Sequence, residues 1–186
     1  MRHVAKRRPV EVAWKLFSLA VVNHGNDYSA EAHNKGFKLE RAMIAARRQG
    51  GNEAVEKLYM AFGNAQHGKR EDLGDANVIR GCLEEAGLPE DLYDKALADD
   101  TTEADLLAEH EKAVEDMAAF GVPTIRLQGE AHREMGWFGP IIDNVPTGED
   151  AEKLFDYLMQ SYQFGNMFEM KRTRRGGRLG PQPVVD

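Results

Sequence analysis

Gly121-Val122-Pro123-Thr124 decides how this chain is read. Upstream, Leu106, His110, Ala113 and Met117 fall on one helical face, opened by Thr102 as a cap with Asp105 three residues on. Downstream, Ile125 and Leu127 alternate with Thr124, Arg126 and Gln128, Gly129 begins a turn, and residues 135–138 return as a second strand. A helix, an X-Pro step and an antiparallel hairpin therefore follow one another. Cis peptide bonds are nearly confined to X-Pro, and this order of elements predicts a cis Val122-Pro123. Such a turn leaves the main chain of Val122 free to pair with an extended partner. Phe138-Gly139-Pro140 is expected to close the hairpin, with the Phe138 ring in the core.

Outward from this centre, Thr147 caps a last helix with Ala151, Leu154, Phe155, Leu158 and Tyr162 at helical spacing. Toward the start lies a helix-rich block. Ala32, Leu39, Ala42, Met43 and Ala46 recur before Gly50-Gly51, and Val55, Leu58, Tyr59, Phe62 and Ala65 before Gly68. Leu73, Ala76, Ile79, Leu83 and Ala86 mark a third helix closed by Gly87, and Pro89 opens a short fourth. Ahead of the block, Asn23-His24-Gly25-Asn26-Asp27 reads as a turn. Val10, Val12, Trp14 and Leu16 alternate with Glu11, Ala13, Lys15 and Phe17, which predicts a strand with one face on the core. Residues 1–8 read as the last turns of a helix stopped by Pro9.

Partial helix, strand, helical block, helix, proline, hairpin, helix is an α/β order, α+β by some schemes. It corresponds to a thioredoxin-like core with an all-helical insertion, its first strand and the start of its first helix missing, since a right-handed β-α-β unit needs a strand ahead of its helix. The expected division is residues 1–22 for the partial first helix and strand, 23–100 for the helical insertion, 101–164 for the rest of the core and 165–186 for a C-terminal tail.

The 186 residues carry a net charge of −7, with 24 basic and 31 acidic side chains. Nine of the basic ones lie in residues 1–8 and 171–178, so residues 9–169 hold 15 basic against 30 acidic residues. Such a body repels a phosphate backbone, and nucleic acid is not an expected partner. No apolar run approaches the length of a membrane span and the basic start lacks a signal-peptide core, so the expected location is the cytoplasm and no membrane partner is expected. The six histidines, at 3, 24, 33, 67, 110 and 132, form no H-x-x-x-H pair, so no metal site is expected. No phosphate-binding glycine motif or G-x-S-x-G nucleophile elbow is present.

Cys82 is the single cysteine. It sits beside the Ile79 and Ala86 stripe of a mid-chain helix, where the dipole gives a thiol little help and a buried cysteine behaves as a small hydrophobe. No catalytic residue is therefore assigned. Val122, Pro123 and Thr124 form the candidate substrate-binding loop, joined by Asn23, Tyr28 and His33 from the segment after the predicted strand.

Several stretches carry a family resemblance. They are Ser18-Leu19-Ala20-Val21-Val22-Asn23, Tyr59-Met60-Ala61-Phe62-Gly63-Asn64 with His67, and Gly121-Val122-Pro123-Thr124-Ile125. Phe138-Gly139-Pro140-Ile141-Ile142, Val145-Pro146-Thr147-Gly148-Glu149 and Phe168-Glu169-Met170-Lys171-Arg172-Thr173-Arg174 continue the order. On these the chain resembles the DsbA-related proteins grouped as mycothiol-dependent nitroreductases, cytosolic thioredoxin-like enzymes of actinobacteria. The resemblance implies a thiol-disulfide oxidoreductase or mycothiol-dependent reductase, no bound cofactor, and mycothiol or a similar low-molecular-weight thiol as co-substrate. It implies a small-molecule thiol or a disulfide-bearing substrate as partner, and a monomer or weak homodimer. The family's Asp-Pro-x-Cys-Pro segment would lie upstream of Met1, so the chain as given is expected to be inactive in disulfide reduction. The alternatives are a non-catalytic peptide- or thiol-binding module and a thiol-dependent isomerase or transferase on the same scaffold.

Overall fold

Gly50 and Gly51 interrupt what would otherwise be one very long helix, and the architecture is arranged around that break. In the computed structural model, which describes residues 1–128, 136–142 and 145–171, α3 runs over Lys35–Gly63 with a kink at the pair. Gly51 has φ 65° and ψ −152°, a conformation open essentially to glycine alone. Phe37, Leu39, Ala42, Met43, Ile44 and Ala46 before the kink, and Ala54, Val55, Leu58, Ala61 and Phe62 after it, are buried. Both halves thus present one apolar stripe to the same core.

α4 (Ala76–Glu85), α5 (Leu92–Ala98) and α6 (Asp100–Met117) close over those stripes through Ile79, Cys82, Leu83, Leu92, Ala96 and Leu106. Gly87 ends α4 with φ 70°, as its place in the sequence predicts. The start of α6 differs from expectation. Asp99 is its cap, accepting from the Thr101 N–H, while Thr102 lies inside the helix, buried, with its hydroxyl on the carbonyls of Ala96 and Asp99. The buried Arg41 guanidinium, whose Nε donates to Thr102 Oγ1 at 3.0 Å, draws that threonine inward.

The described β structure is one hairpin, β1 (Thr124–Arg126) antiparallel to β2 (Gly136–Phe138), with Ile125 opposite Trp137. Residue 129, the expected turn glycine, lies outside the described residues, as does residue 135. α7 (Gly148–Ser161) follows Thr147 and buries Ala151, Phe155 and Leu158. It supports the hairpin through Tyr162, whose hydroxyl donates to the Ile125 carbonyl and whose ring meets Trp137 edge-on. Burial pushes that phenol up to about 12, so it stays a donor. α1 (Arg2–Ala5) packs Val4 nearby, and Arg8 pairs with Glu152 and Asp156 of α7. The molecule is thus helix-rich with a small two-stranded sheet, within the α/β or α+β class.

The strand expected at residues 10–17 does not form. Its alternation is real, since Val10, Val12, Trp14 and Leu16 turn inward while Glu11, Ala13 and Lys15 are exposed. What it lacks is a ladder. The Asn52 side chain replaces one: its Oδ1 accepts from the Trp14 N–H at 2.7 Å and its Nδ2 donates to the Val12 carbonyl at 2.8 Å. One carboxamide thereby imitates a residue of a parallel neighbouring strand. Arg47 Nη2 donates to the Trp14 carbonyl at 3.0 Å on the same edge. The opposite edge, at residues 11, 13, 15 and 17, has no hydrogen bond among the described residues. Asn52→Ala is expected to cost about 1 kcal/mol in urea unfolding, because the Trp14 N–H and Val12 C=O lose their shared partner at an exposed site where water can replace it; Asn52→Asp, which keeps only the acceptor, should cost less.

Candidate functional site

Three features set the course of residues 121–124, which bring Val122 and Pro123 to the surface. Helix α6 ends where Ala118 turns left-handed, at φ 49°, and Ala119 tucks into the interior. Gly121 then passes so close to the hairpin that a Cβ there would meet Phe138 Cε2 at 2.9 Å, which explains a glycine at this step. Finally the Thr124 hydroxyl donates to the Gly121 carbonyl at 2.8 Å, closing a turn around Val122 and Pro123. The Val122-Pro123 bond is cis, as the order of elements predicts, and so is Gly139-Pro140.

The hairpin sets the direction of each main-chain group. Gly139 N–H donates to the Pro123 carbonyl at 2.8 Å, so Pro123 and Ile125 face β2. Val122 and Thr124 therefore face the other way, and among the described residues their backbone groups on that edge are unpaired. Val122 is 44% exposed. The edge is flanked by Phe120 and Phe138, whose rings lie 4.6 Å apart. Phe138 is 43% exposed, which corrects its expected place in the core. With only a short hairpin beneath it, the ring finds Phe120 as a neighbour and, among the described residues, no layer to cover its outer face.

Asn23, Tyr28 and His33 come from one neighbourhood. Asn23 is exposed on α2 (Leu19–His24), a short helix where a turn was expected, with Ser18 as its N-cap position. The Tyr28 hydroxyl donates to Glu103 Oε1 at 2.8 Å, and its ring packs on Phe37. That bond holds the phenol above its ordinary pKa. His33 stacks flat on His24, with ring centroids 3.7 Å apart, and its Nδ1 lies 3.3 Å from Asp27 Oδ2. The hydrogen bonds, ion pairs and ring contacts of these three run to one another's surroundings, and among the described residues none reaches residues 121–124.

Cys82 is buried on α4, and burial foremost, then Glu85, raises its thiol pKa. Such a thiol is a poor nucleophile near neutral pH. Among the described residues no three His, Cys, Asp or Glu side chains are placed to hold a metal ion, and no helix is long and apolar enough to cross a membrane.

A buried polar cluster escaped the sequence reading. Ser18 is fully buried, its N–H donating to His110 Nδ1 at 3.3 Å. Glu40, on α3, lies beside the Ser18 hydroxyl. Burial pushes its carboxyl up to about 7, and Ser18 pulls weakly the other way without satisfying it: Glu40 Oε2 and Ser18 Oγ are both buried without a hydrogen-bond partner. The signal was available, since Glu40 stands three residues after Phe37 and four before Ile44, on the buried stripe of α3.

The family model described as Rv2466c-like, mycothiol-dependent nitroreductase Rv2466c, matches residues 1–172. An uncharacterized protein of Mycobacterium tuberculosis (strain ATCC 25618 / H37Rv), Rv2286c, is 27% identical over 177 residues, which cover 94% of this chain and 74% of that protein. The family match spans the hairpin turn, the Asn52-braced segment and α7 together. This chain belongs to the Rv2466c-like family of mycothiol-dependent nitroreductases.

Proposed function

We propose that this chain is a DsbA-related, thioredoxin-like scaffold that binds a low-molecular-weight thiol, mycothiol or a similar one, or a disulfide-bearing substrate, along the edge at Val122 and Thr124. Residues 23–100 are its helical insertion. The observation that carries the reading is that open edge: main-chain donor and acceptor groups at Val122 and Thr124, unpaired among the described residues and with Val122 exposed, in a family that uses a small thiol. Asn23, Tyr28 and His33 line the same cleft in this reading. Asn23 supplies a carboxamide that has no partner among the described residues, whereas Tyr28 and His33 reach substrate only by exchanging their bonds to Glu103 and Asp27.

The chain binds in this reading but does not turn over. Reducing a nitro group to nitroso takes two electrons: two thiols give up two protons and two electrons, the nitro group loses one oxygen as water, and a disulfide forms. A protein that catalyses this through its own sulfur needs a thiolate at the binding edge. The one cysteine of this chain is buried in α4 with its pKa raised.

Amide NMR on the protein titrated with mycothiol, and separately with its disulfide, tests the proposal. Shifts at Val122 and Thr124 are expected in the millimolar range, with nitroaromatic reduction by the same mixture at the protein-free rate. Unmoved amides at both positions would overturn the binding edge. Turnover that Cys82→Ser abolishes would overturn the absence of catalysis.

A further inference from the structure

Ser18 joins three helices. Its backbone opens α2, its N–H is held by His110 of α6, and its hydroxyl abuts Glu40 of α3. Among the described residues α2 itself is lightly held: it contributes no buried residue, Leu19 and Val22 are exposed, and only Ala20 and Val21 lean on the core, while Phe17 on His110 and Tyr28 on Phe37 anchor the chain on either side. Ser18 is therefore the one fully buried polar attachment at the start of residues 19–27, and its environment bears directly on their docking.

Among the described residues no cation is paired with Glu40. On α3, Arg41 is committed to Glu103, Thr102 and three carbonyls, Arg47 to Glu109 and the Trp14 carbonyl, and Lys35 to Asp72. On α6, His110 is engaged by Ser18 and the Phe17 ring, while Glu103 and Glu109 face those arginines. From α2 and the turn after it, His24 stacks on His33 and Asp27 pairs with His33. Among the described residues no ion pair reaches the Glu40 carboxyl. An ionised carboxylate left buried without a counter-charge disfavours the state that buries it.

We propose that Glu40 is a proton-operated latch on α2: protonated, it packs beside Ser18 and keeps α2 docked between α3 and α6, and ionised, it drives residues 19–27 off the core. Closing takes up one proton, so raising the pH opens the latch. Between the ordinary carboxylate range and the raised value of about 7, each pH unit shifts the closed-to-open ratio by up to about ten-fold. α2 carries Asn23, so opening withdraws a residue of the binding cleft; that consequence alone rests on the function proposed above, and the latch does not.

Amide hydrogen exchange over pH 5 to 8.5, corrected for intrinsic rates, reads the latch without any activity. In the wild-type chain, protection of residues 19–27 is expected to fall by about ten-fold or more over that range while α4 and the second half of α3 hold steady. Glu40→Gln should flatten the fall. Constant protection in the wild type, or an undiminished fall in Glu40→Gln, would overturn the proposal. If Glu40→Gln does not fold, the wild-type Glu40 carboxyl can be titrated by carbon NMR. A midpoint that coincides with the loss of α2 protection supports the latch, and one in the ordinary carboxylate range overturns it.

Discussion

Arg41→Met is expected to lower the free energy of unfolding by about 3–5 kcal/mol in urea titrations. The guanidinium is buried, and all three of its nitrogens are used. Nε donates to Thr102 Oγ1 and Nη1 to Glu103 Oε2, while Nη2 takes the carbonyls of Ala96, Leu97 and Asp99 at 3.1 to 3.2 Å. Those carbonyls end α5, where helix geometry leaves them without partners and the dipole places negative charge. One cation from α3 thus fastens the end of α5 to the start of α6. Methionine keeps most of the volume but strands the carbonyls and leaves Glu103 without its cation. Arg41→Lys should recover less than half of the loss, since an ammonium cannot reproduce the planar fork. Glu103→Gln should cost only about 1 kcal/mol, because Arg41 retains its carbonyls. A loss below about 1 kcal/mol in Arg41→Met would mean that α5 and α6 are joined by apolar packing alone.

What could be read in the residues beforehand, and what could not, follows the range of the forces involved. The glycine pair at 50 and 51, the glycine after α4, the hairpin around Ile125 and the stripe of α7 are local signals, and each appears in its expected place. The segment at residues 10–17 shows the limit. Alternation reports which side chains turn inward, and those do, with Leu16 buried and the others partly so; it cannot report whether a strand lies alongside. The groups that satisfy that backbone, Asn52 and Arg47, stand more than thirty residues away in a helix. Similarly, Asp99 and Thr102 are both competent caps, and Arg41 decided between them from across the core. The family was legible because its motifs are short and ordered. Glu40 was passed over because a single acid on an apolar stripe looks like noise unless its neighbours in space are known.

The second large effect belongs to that acid, and it appears in the pH dependence of global stability. A carboxyl whose folded value is raised to about 7 binds a proton in the native state over a window where the unfolded chain, with the ordinary value of 4.5, does not. Stability from Glu40 is therefore full at and below about pH 4.5 and is lost as pH rises to about 7. The 2.5-unit shift sets the loss at up to about 3 kcal/mol. His110 acts in the opposite sense. Burial lowers its pKa, so its contribution is full above the unfolded value of 6.5 and declines as pH falls through the folded one. Asp99, Asp116 and Glu152, held low by Thr101, Lys112 and Arg7 respectively, contribute in full above the ordinary carboxylate range and lose that contribution only at more acid pH. The wild-type profile alone thus mixes opposing limbs, and the difference between wild type and Glu40→Gln isolates one of them. Urea unfolding at fixed ionic strength should show Glu40→Gln gaining on wild type by up to about 3 kcal/mol between pH 4.5 and 8, with most of the gain complete by about pH 7. Parallel profiles would mean that water reaches the carboxyl and that α3 tolerates its charge; a gain in His110→Gln on the acid side, with none in Glu40→Gln, would assign the buried titration to the histidine instead.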